Sequence, residues 1–403
     1  MHYKLKSCFL VFFILLVTSS FAQREGYNWI FGKLAYISFN TGKPKNEKLF
    51  QYSAIISAGT ATISTKNGRL LFYTDGVAVF DSSQNIFINK PIRGTFGNYQ
   101  TAIFIPHPHP DSSNLYFVFA NSGPFDEINK FGLSYSVIDT KLRSGKGDII
   151  NSRYNINLIY PVLTHLGAVK HANRKGYWIV THKNRTDTIY AYLVDKNGIN
   201  KTPVMSKTGI IRSYNNYYNN YQPPLKLSPD GTKIATFRYP DISFVADFNA
   251  STGKVTNIIK LPFYGWGSEF SPKSRYLYFL SQKNDKKFLF QLDLKKMEQK
   301  EIVKSLVLID SNFYYAANET LQLAPDGKIY IPEKKHSYLH VIHAPDSAGT
   351  KCRLQKNYFY LGDSVYSMGA LPDMVQSFFQ KKTFEYRRSC TRDTVFFAPS
   401  NTF

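Results

Sequence analysis

Residues 321–333 read LQLAPDGKIYIPE, which has the pattern of two short strands joined by a tight turn. Apolar residues alternate with other residues on both sides of the Pro-Asp-Gly step. Alternation with a period of two is typical of strands that bury one face. An Asp-Gly or Asn-Gly step supplies the positive φ angle that a tight turn needs. The stretch therefore predicts a β-hairpin.

The same pattern occurs again elsewhere in the chain. The copies are LKLSPDGTKIATF at 225–237, SEFSPKSRYLYFL at 268–280, ATISTKNGRLLFYTDG at 61–76, and two looser ones, IFIPHPHPDSSNLYFVFA at 103–120 and AVKHANRKGYWIVTHK at 168–183. A hairpin cannot bury its apolar faces alone, and self-similarity at about 45–60 residues indicates a radial β-array. Six copies of the pattern therefore predict six blades of a β-propeller, with few helices.

A seventh blade is predicted from the two ends of the repeat region. Residues 27–49 read as outer strands without an inner strand, whereas DSVYSMGALPDMVQSFF at 363–379 supplies an inner strand without outer ones. Joining them would close the ring and remove the exposed sheet edges. We therefore expect an all-β, seven-bladed propeller of mostly four-stranded sheets over residues 23–380.

The first 22 residues have the composition of a secretory signal peptide. Lys4 and Lys6 precede an apolar run from Phe9 to Val17, and small residues follow up to Ala22. We expect cleavage before Gln23 and export to the cell exterior or outer-membrane surface, with the periplasm as the alternative. No later stretch approaches about 20 apolar residues, so no transmembrane segment is predicted.

The chain is strongly basic, with 50 Lys and Arg against 28 Asp and Glu and a formal net charge of +22. Such a surplus favours solubility and attraction to polyanions, but it says nothing about the fold. No block of five or six like charges occurs. An acidic glycan or other polyanion and an ordinary solvated surface are both compatible with this charge, and no specific nucleic-acid partner is expected.

Cys352 and Cys390 would remain after removal of the signal peptide. In an oxidising compartment they could pair and pin the C-terminal tail to the last full repeat. Alternatively, Cys390 could belong to a neighbouring unit. A disulfide between them is one expectation that the structure can examine.

The segment SYNNYYNNYQPP at 213–224 has no apolar periodicity and ends in two prolines, which predicts a loop. Its tyrosines, Tyr214, Tyr217, Tyr218 and Tyr221, could present flat faces with a polar tip to sugars, peptides or nucleobases. They could equally pack on neighbouring blades. These four tyrosines are the candidate ligand-binding residues of the sequence.

No catalytic or metal-binding motif is recognisable. His107 and His109 in PHPHP lie in an extended segment in which the prolines prevent ladder pairing, so a rigid loop is favoured over a metal site. No Gly-x-Ser-x-Gly motif, phosphate loop or Cys–His nucleophile occurs. We therefore predict no catalytic residues, no metal and no cofactor.

A set of phrases resembles the N-terminal propeller-like region of large secreted proteins of Bacteroidota that carry gliding-motility-associated C-terminal sorting domains. The phrases are NWIFGKLAYISFNTG, ATISTKNGRLLFYTDGVAVFD, TAIFIP, AVKHANRKGYWIVTH, LKLSPDGTKIA, SEFSPKSRYLY, LQLAPDGKIYI and GALPDMVQSFF. The resemblance implies PKD-like modules and type IX secretion in the family. Residues 381–403 then look like the start of a truncated PKD-like module.

The sequence as a whole favours a monomeric, secreted or cell-surface propeller that binds and does not catalyse. Surface glycans or envelope proteins are the expected partners. The alternative is a propeller enzyme of the lactonase, lyase or dehydrogenase type with its site at the central channel, which rests on fold-level analogy alone.

Overall fold

The computed structural model describes most of the 403-residue chain. The described residues are 23–49, 55–56, 59–95, 99–123, 131–212, 224–238, 242–283, 286–313, 320–380, 384–388 and 395–399.

Antiparallel β-sheets account for nearly all of the regular structure. The strands are β1 (Asn28–Lys33), β2 (Ala35–Ser38), β3 (Lys45–Asn46), β4 (Ile55–Ile56), β5 (Ala61–Ser64), β6 (Leu70–Thr74), β7 (Val79–Asp81), β8 (Ala102–Pro106), β9 (Leu115–Asn121), β10 (Leu133–Asp139), β11 (Asp148–Ile149), β12 (Ile156–Ile159), β13 (Gly167–Lys170), β14 (Tyr177–His182), β15 (Thr186–Asp195), β16 (Gly198–Ile199), β17 (Val204–Arg212), β18 (Leu225–Leu227), β19 (Lys233–Thr236), β20 (Ser243–Asn249), β21 (Lys254–Leu261), β22 (Ser268–Phe270), β23 (Tyr276–Lys283), β24 (Lys286–Asp293), β25 (Val307–Phe313), β26 (Gln322–Leu323), β27 (Ile329–Pro332), β28 (Tyr338–Ile342), β29 (Leu354–Tyr360), β30 (Phe384–Arg388) and β31 (Val395–Pro399).

Seven of the sheets are the blades of a β-propeller, as the sequence predicted. Blades 1 to 6 contain, in order, β5–β7, β8–β12, β13–β17, β18–β21, β22–β25 and β26–β29, and blade 7 contains β1–β4. The inner strands β13, β18, β22 and β26 lie side by side around the ring. Among the described strands, β30 and β31 pair with each other in a two-stranded hairpin near the C-terminal end of the chain.

Helical structure in the described ranges is limited to the short helix α1 (Gln299–Lys304) and single turns such as Gln376–Phe379. No helix in this part of the chain is both long and apolar enough to span a membrane.

The six predicted hairpins all form, each as an antiparallel pair of the first two strands of a blade. The turn of blade 4 illustrates their chemistry. Gly231 has a φ of +75° and donates its N–H to the carbonyl of Ser228 at 2.9 Å. The carboxylate of Asp230 accepts the N–H of Thr232 at 3.0 Å. The Pro-Asp-Gly step thus makes the turn for the reason the sequence suggested.

The ring closes between the N-terminal strands and the C-terminal segment, with one difference from the prediction. Lys33 and Tyr366 exchange two backbone hydrogen bonds, of 2.8 and 3.3 Å, and the N–H of Asp373 donates to the carbonyl of Thr60 at 2.7 Å. However, the C-terminal segment makes isolated bridges and not a regular inner strand, and β4 also pairs with β1. Pro372 has no N–H to donate and Gly369 has a φ of +90°, so a continuous ladder cannot form there.

Aromatic packing attaches blade 7 to blade 6. Trp29 and Phe39 lie within 5.7 and 5.8 Å of the ring of Tyr330, in edge-to-face geometry, and all three are at most 1% exposed. Leu34 occupies the turn after β1 with a φ of +61° and is half-buried.

Candidate functional site

Three polar side chains occupy equivalent positions on the inner strands of blades 4, 5 and 6. They are Lys226, Glu269 and Gln322, and each precedes by two residues the first residue of its hairpin turn. Successive side chains of a strand point to opposite faces, so these residues leave the apolar face formed by neighbours such as Leu225 and Leu227. They are at most 2% exposed.

Lys226 joins the three blades. Its Nζ lies 3.0 Å from Oε2 of Glu269 and 2.9 Å from Oε1 of Gln322. Glu269 also accepts the backbone N–H of Phe270 at 2.9 Å and that of Leu323 at 3.2 Å. Burial raises the pKa of Glu269, and the ammonium of Lys226 opposes that rise. We read the pair as a buried, hydrogen-bonded ion pair.

Gln100 connects blades 2, 3 and 4 beside this pair. Its Oε1 accepts the N–H groups of Leu166 and Leu225 at 3.1 and 2.8 Å, and its Nε2 donates to the carbonyl of Leu225 at 2.9 Å. These bonds satisfy backbone groups at the start of two inner strands.

Asp373 adds a carboxyl group from the C-terminal segment. Burial raises its pKa well above the ordinary value, against the opposing effects of Lys226 and of the hydrogen bond with Gln100. The carboxyl is therefore protonated over a wider pH range than an exposed one. We name the set Gln100, Lys226, Glu269, Gln322 and Asp373 the axial cluster.

The axial cluster is a structural element, because its members are at most 6% exposed and their polar atoms are mostly bonded to one another or to backbone. A group that is to transfer a proton must come within hydrogen-bond reach of a substrate. Over the described ranges, no group of three or more His, Cys, Asp or Glu residues could hold a metal ion.

The buried histidines are also bonded within the fold. Burial, with a contribution from Arg212, lowers the pKa of His182 to about 3, and its Nε2 lies 3.1 Å from the carbonyl of Thr186. His340 accepts the N–H of Asn357 on Nδ1 at 2.9 Å and places Nε2 at 3.1 Å from Oε1 of Glu333.

A groove of about 410 Å³ lies between the turns of blades 1 and 2. We call it the blade 1/2 groove. Its lining residues are Glu25, Thr65, Lys66, Asn67, Pro106, His107, Pro108, His109, Pro110, Ser113 and Tyr116. A second recess of about 300 Å³ lies beside blade 4 and includes Asp247 and Asn249. The groove thus combines polar side chains with enough volume for a small ligand.

The two loop histidines of the groove are held by local hydrogen bonds. Nδ1 of His107 accepts the N–H of His109 at 3.1 Å, and Nδ1 of His109 accepts the N–H of Asp111 at 3.1 Å. Burial, followed by His109 and Arg153, lowers the pKa of His107. The ring of His107 stacks on Phe117 with centroids 5.3 Å apart. The interpretation of PHPHP as a rigid loop fits this geometry.

Most candidate residues of the sequence lie elsewhere or outside the described residues. Tyr214, Tyr217, Tyr218 and Tyr221 all fall outside them, so their role stays a prediction. Cys352 is buried, which raises the pKa of its thiol, whereas Cys390 lies outside the described residues. The disulfide therefore also stays a prediction.

Part of the axial cluster could have been found from the repeats. In the aligned copies LKLSP, SEFSP and LQLAP, the second residue is Lys, Glu and Gln, respectively. Opposite charges at one repeat position of neighbouring blades are a readable signal. No comparable signal marks Glu25 or Lys66, which approach His107 and His109 only in the folded ring.

No protein-family model matches the chain, and no curated protein has a significantly similar sequence. Among solved structures, a proposed 6-phosphogluconolactonase from Bacteroides uniformis is 11% identical, with a TM-score of 0.48 over 85% of this chain and 98% of that one. A functionally unknown protein from Desulfotomaculum acetoxidans is 12% identical, with a TM-score of 0.47 over 87% and 99%. The Cps50 (Swd1) β-propeller domain of Myceliophteria thermophila is 11% identical, with a TM-score of 0.43 over 76% and 93%. Likeness this low carries no information about ligand or activity.

Proposed function

We propose that this protein is a non-enzymatic binding propeller that is exported and acts at the cell exterior, with surface glycans or envelope proteins as its partners. One observation carries the proposal. The ionisable groups of the axial cluster are sealed from solvent, whereas the larger described recesses lie between or beside blades and are lined mainly by uncharged polar and aromatic side chains.

The burial of Lys226 and Glu269 argues against a catalytic role for the cluster. Each is at most 2% exposed, and Nζ of Lys226 is paired with Oε2 of Glu269 at 3.0 Å. A buried pair of this kind does not provide a free general base or acid for a substrate. Recognition at the surface, in contrast, needs only a shaped recess with a few well-placed polar groups.

The first residues of the chain support export, because Lys4, Lys6 and the apolar run up to Val17 have the order of a secretory signal. The resemblance to secreted proteins of Bacteroidota supports a place at the cell surface. The net charge of +22, which becomes +20 when Lys4 and Lys6 leave with the signal peptide, would assist retention on an acidic envelope.

The test uses the full chain, produced with its own leader and purified from the exported fraction. Binding to insoluble cellulose, chitin and mannan is measured by depletion from solution, and hydrolysis of glucono-δ-lactone is measured in parallel. We expect retention on at least one polysaccharide and a lactone hydrolysis rate equal to the uncatalysed one.

Glu269→Gln tests whether the axial cluster takes part in lactone hydrolysis, because it removes the carboxylate that is hydrogen-bonded to Lys226. We expect it to lower the melting temperature and to leave polysaccharide retention unchanged below the transition. If the parent chain hydrolyses the lactone and the folded Glu269→Gln variant does not, the protein is an enzyme and the proposal is overturned. Absence of retention on every polysaccharide would overturn glycans as the partners and leave the envelope proteins.

A further inference from the structure

We propose that the blade 1/2 groove binds a neutral saccharide, with the carboxylate of Glu25 accepting hydrogen bonds from sugar hydroxyls. This inference rests on the proposed binding function and names its site and ligand class. The groove has a volume of about 410 Å³, which falls within the range of about 300–1,000 Å³ of small-ligand sites.

Glu25 is the residue that points to a ligand. It is 2% exposed, and its Oε2 has no hydrogen-bond partner among the described residues. Its backbone is fixed, because its carbonyl accepts the N–H of Ser64 at 2.9 Å. A buried carboxylate oxygen without a donor is costly, and the cost falls when a ligand supplies one. The groove that Glu25 lines is where such donors can enter.

Tyr116 lies at the same end of the groove. Burial, with a contribution from the charge of Glu25, raises the pKa of Tyr116 to about 12, so the phenol keeps its proton. A phenol can both donate and accept a hydrogen bond, and its ring offers a flat apolar face. Sugar rings present C–H faces and hydroxyls together, which is the combination that such a side chain complements.

His107 and His109 add donors on the opposite wall. Because Nδ1 of each ring accepts a backbone N–H at 3.1 Å, the neutral ring carries its proton on Nε2. Each ring then has an Nε2–H donor that the local bonds leave available. Donors on this wall and a carboxylate acceptor on the other match a ligand whose groups both donate and accept.

The walls of the groove are held in place before any ligand arrives. The blade 1 turn is fixed by Asn28 and Asn40, whose amide groups donate to the carbonyl of Gly68 at 2.7 and 2.8 Å. The opposite wall contains Pro106, Pro108 and Pro110, whose φ angles are restricted by their rings. Preorganised walls lower the entropy that binding costs.

The charge of the lining selects against an ionic ligand. Glu25 and Lys66 contribute one charge of each sign, and the rest of the lining consists of Thr, Asn, Pro, Ser, Tyr and His residues. A polyanion would meet the buried carboxylate, and an organic cation would meet the ammonium of Lys66. A neutral sugar is repelled by neither group. The lining therefore favours a neutral ligand, although the chain as a whole is strongly basic.

The experiment titrates the full chain with cellobiose, mannobiose and N,N′-diacetylchitobiose by calorimetry. Digalacturonate is the anionic probe and lysine amide the cationic one.

Glu25→Gln keeps the side-chain size and removes the acceptor charge, and we expect it to weaken binding of the neutral disaccharide at least about tenfold. Lys66→Met, at the exposed edge of the groove, is expected to weaken it about threefold. Asp247→Asn, in the recess beside blade 4, is the control and should bind like the parent chain.

The outcomes separate the site from the function. If a neutral disaccharide binds and the folded Glu25→Gln and Lys66→Met variants bind it equally well, the groove is not the site, but the binding function stands. Tighter binding of digalacturonate or lysine amide than of every neutral disaccharide overturns the ligand class. If no disaccharide binds while polysaccharide retention is observed, the groove proposal alone fails.

Discussion

Nζ of Lys226 in blade 4 lies 3.0 Å from Oε2 of Glu269 in blade 5, with both side chains at most 2% exposed. The two residues are 43 positions apart in the chain, so their contact depends on the packing of one blade against the next. A hydrogen bond to Gln322 of blade 6 extends the connection to a third inner strand.

Breaking this pair is expected to be costly. Lys226→Met removes the cation and leaves the carboxylate of Glu269 buried and uncompensated, which should lower the free energy of unfolding by about 3–5 kcal/mol. Combining it with Glu269→Gln removes both charges and should restore much of the loss. Chemical denaturation of the parent, the Lys226→Met variant and the double variant measures these changes in the free energy of unfolding. The exposed Lys66→Met variant is the control. An unchanged midpoint for Lys226→Met would show that the pair contributes nothing.

Stability should fall as pH rises from about 4 toward neutrality, because Asp373 keeps a proton in the folded state that the unfolded chain releases near its ordinary pKa. The groups facing it are Lys226, Glu269 and Gln100. Glu269, whose pKa is also raised by burial, contributes in the same direction. Asp373→Asn should therefore be more stable than the parent at pH 7, with the difference disappearing near pH 4. Melting curves across this range would contradict the assignment if the variant lost stability at pH 7.

Gly32 and Gly42 provide a matched test of ring closure. Both have positive φ angles, of +57° and +81°, but a Cβ at Gly32 would lie 2.3 Å from the carbonyl oxygen of Tyr366, whereas one at Gly42 would meet nothing within 4 Å. Gly42→Ala should cost about 1–2 kcal/mol from backbone strain alone. Gly32→Ala should cost about 1–3 kcal/mol more, because the closure segment must move. Equal losses in thermal melts would mean that the Lys33–Tyr366 contact is unimportant.

Deleting residues 27–49 should abolish folding. Trp29, Phe31, Ile37 and Phe39 are at most 1% exposed, and burying each is worth roughly 1.5–3 kcal/mol. Together they represent on the order of 10 kcal/mol, comparable with the net stability of a domain, about 5–15 kcal/mol. Deleting residues 381–403, which include the separate β30–β31 hairpin, is the control and should leave the melting midpoint unchanged. A soluble chain without 27–49 that melts like the parent would refute the closure.

Cleavage before Gln23 is expected when the chain is produced with its own leader in a bacterial host. N-terminal sequencing of the exported protein should begin at Gln23, because small residues up to Ala22 end the leader. Ala22→Leu should slow or abolish cleavage, since the processing site requires a small residue. An uncut product retained in the cytoplasm would show that the first 22 residues are not a signal peptide.

The fold was largely predictable because its determinants are local. A turn such as the one at Ser228–Gly231 forms from the φ preference of glycine and the carboxylate of Asp230, whatever surrounds it. Asp139, Asp195 and Asp293 each end a strand before a turn and accept a backbone N–H two residues on, as a turn-forming aspartate should. Asp247 instead accepts from the side chain of Asn257, which only the folded blade brings near.

By itself, the sequence determined the hairpins and their number, because alternation and turn chemistry act within about ten residues. It also indicated that the two ends of the ring meet, because each end reads as an incomplete blade. Tertiary structure alone decided that Gln100 would bond Leu225 across 125 positions, that β4 would pair with β1, and that Glu25 would lie beside Lys66 and His109. The β4–β1 pair lies within blade 7, and the other contacts join residues from different parts of the ring. Their distances are set by how far each blade is rotated about the axis and how tightly its faces pack, which no local preference encodes.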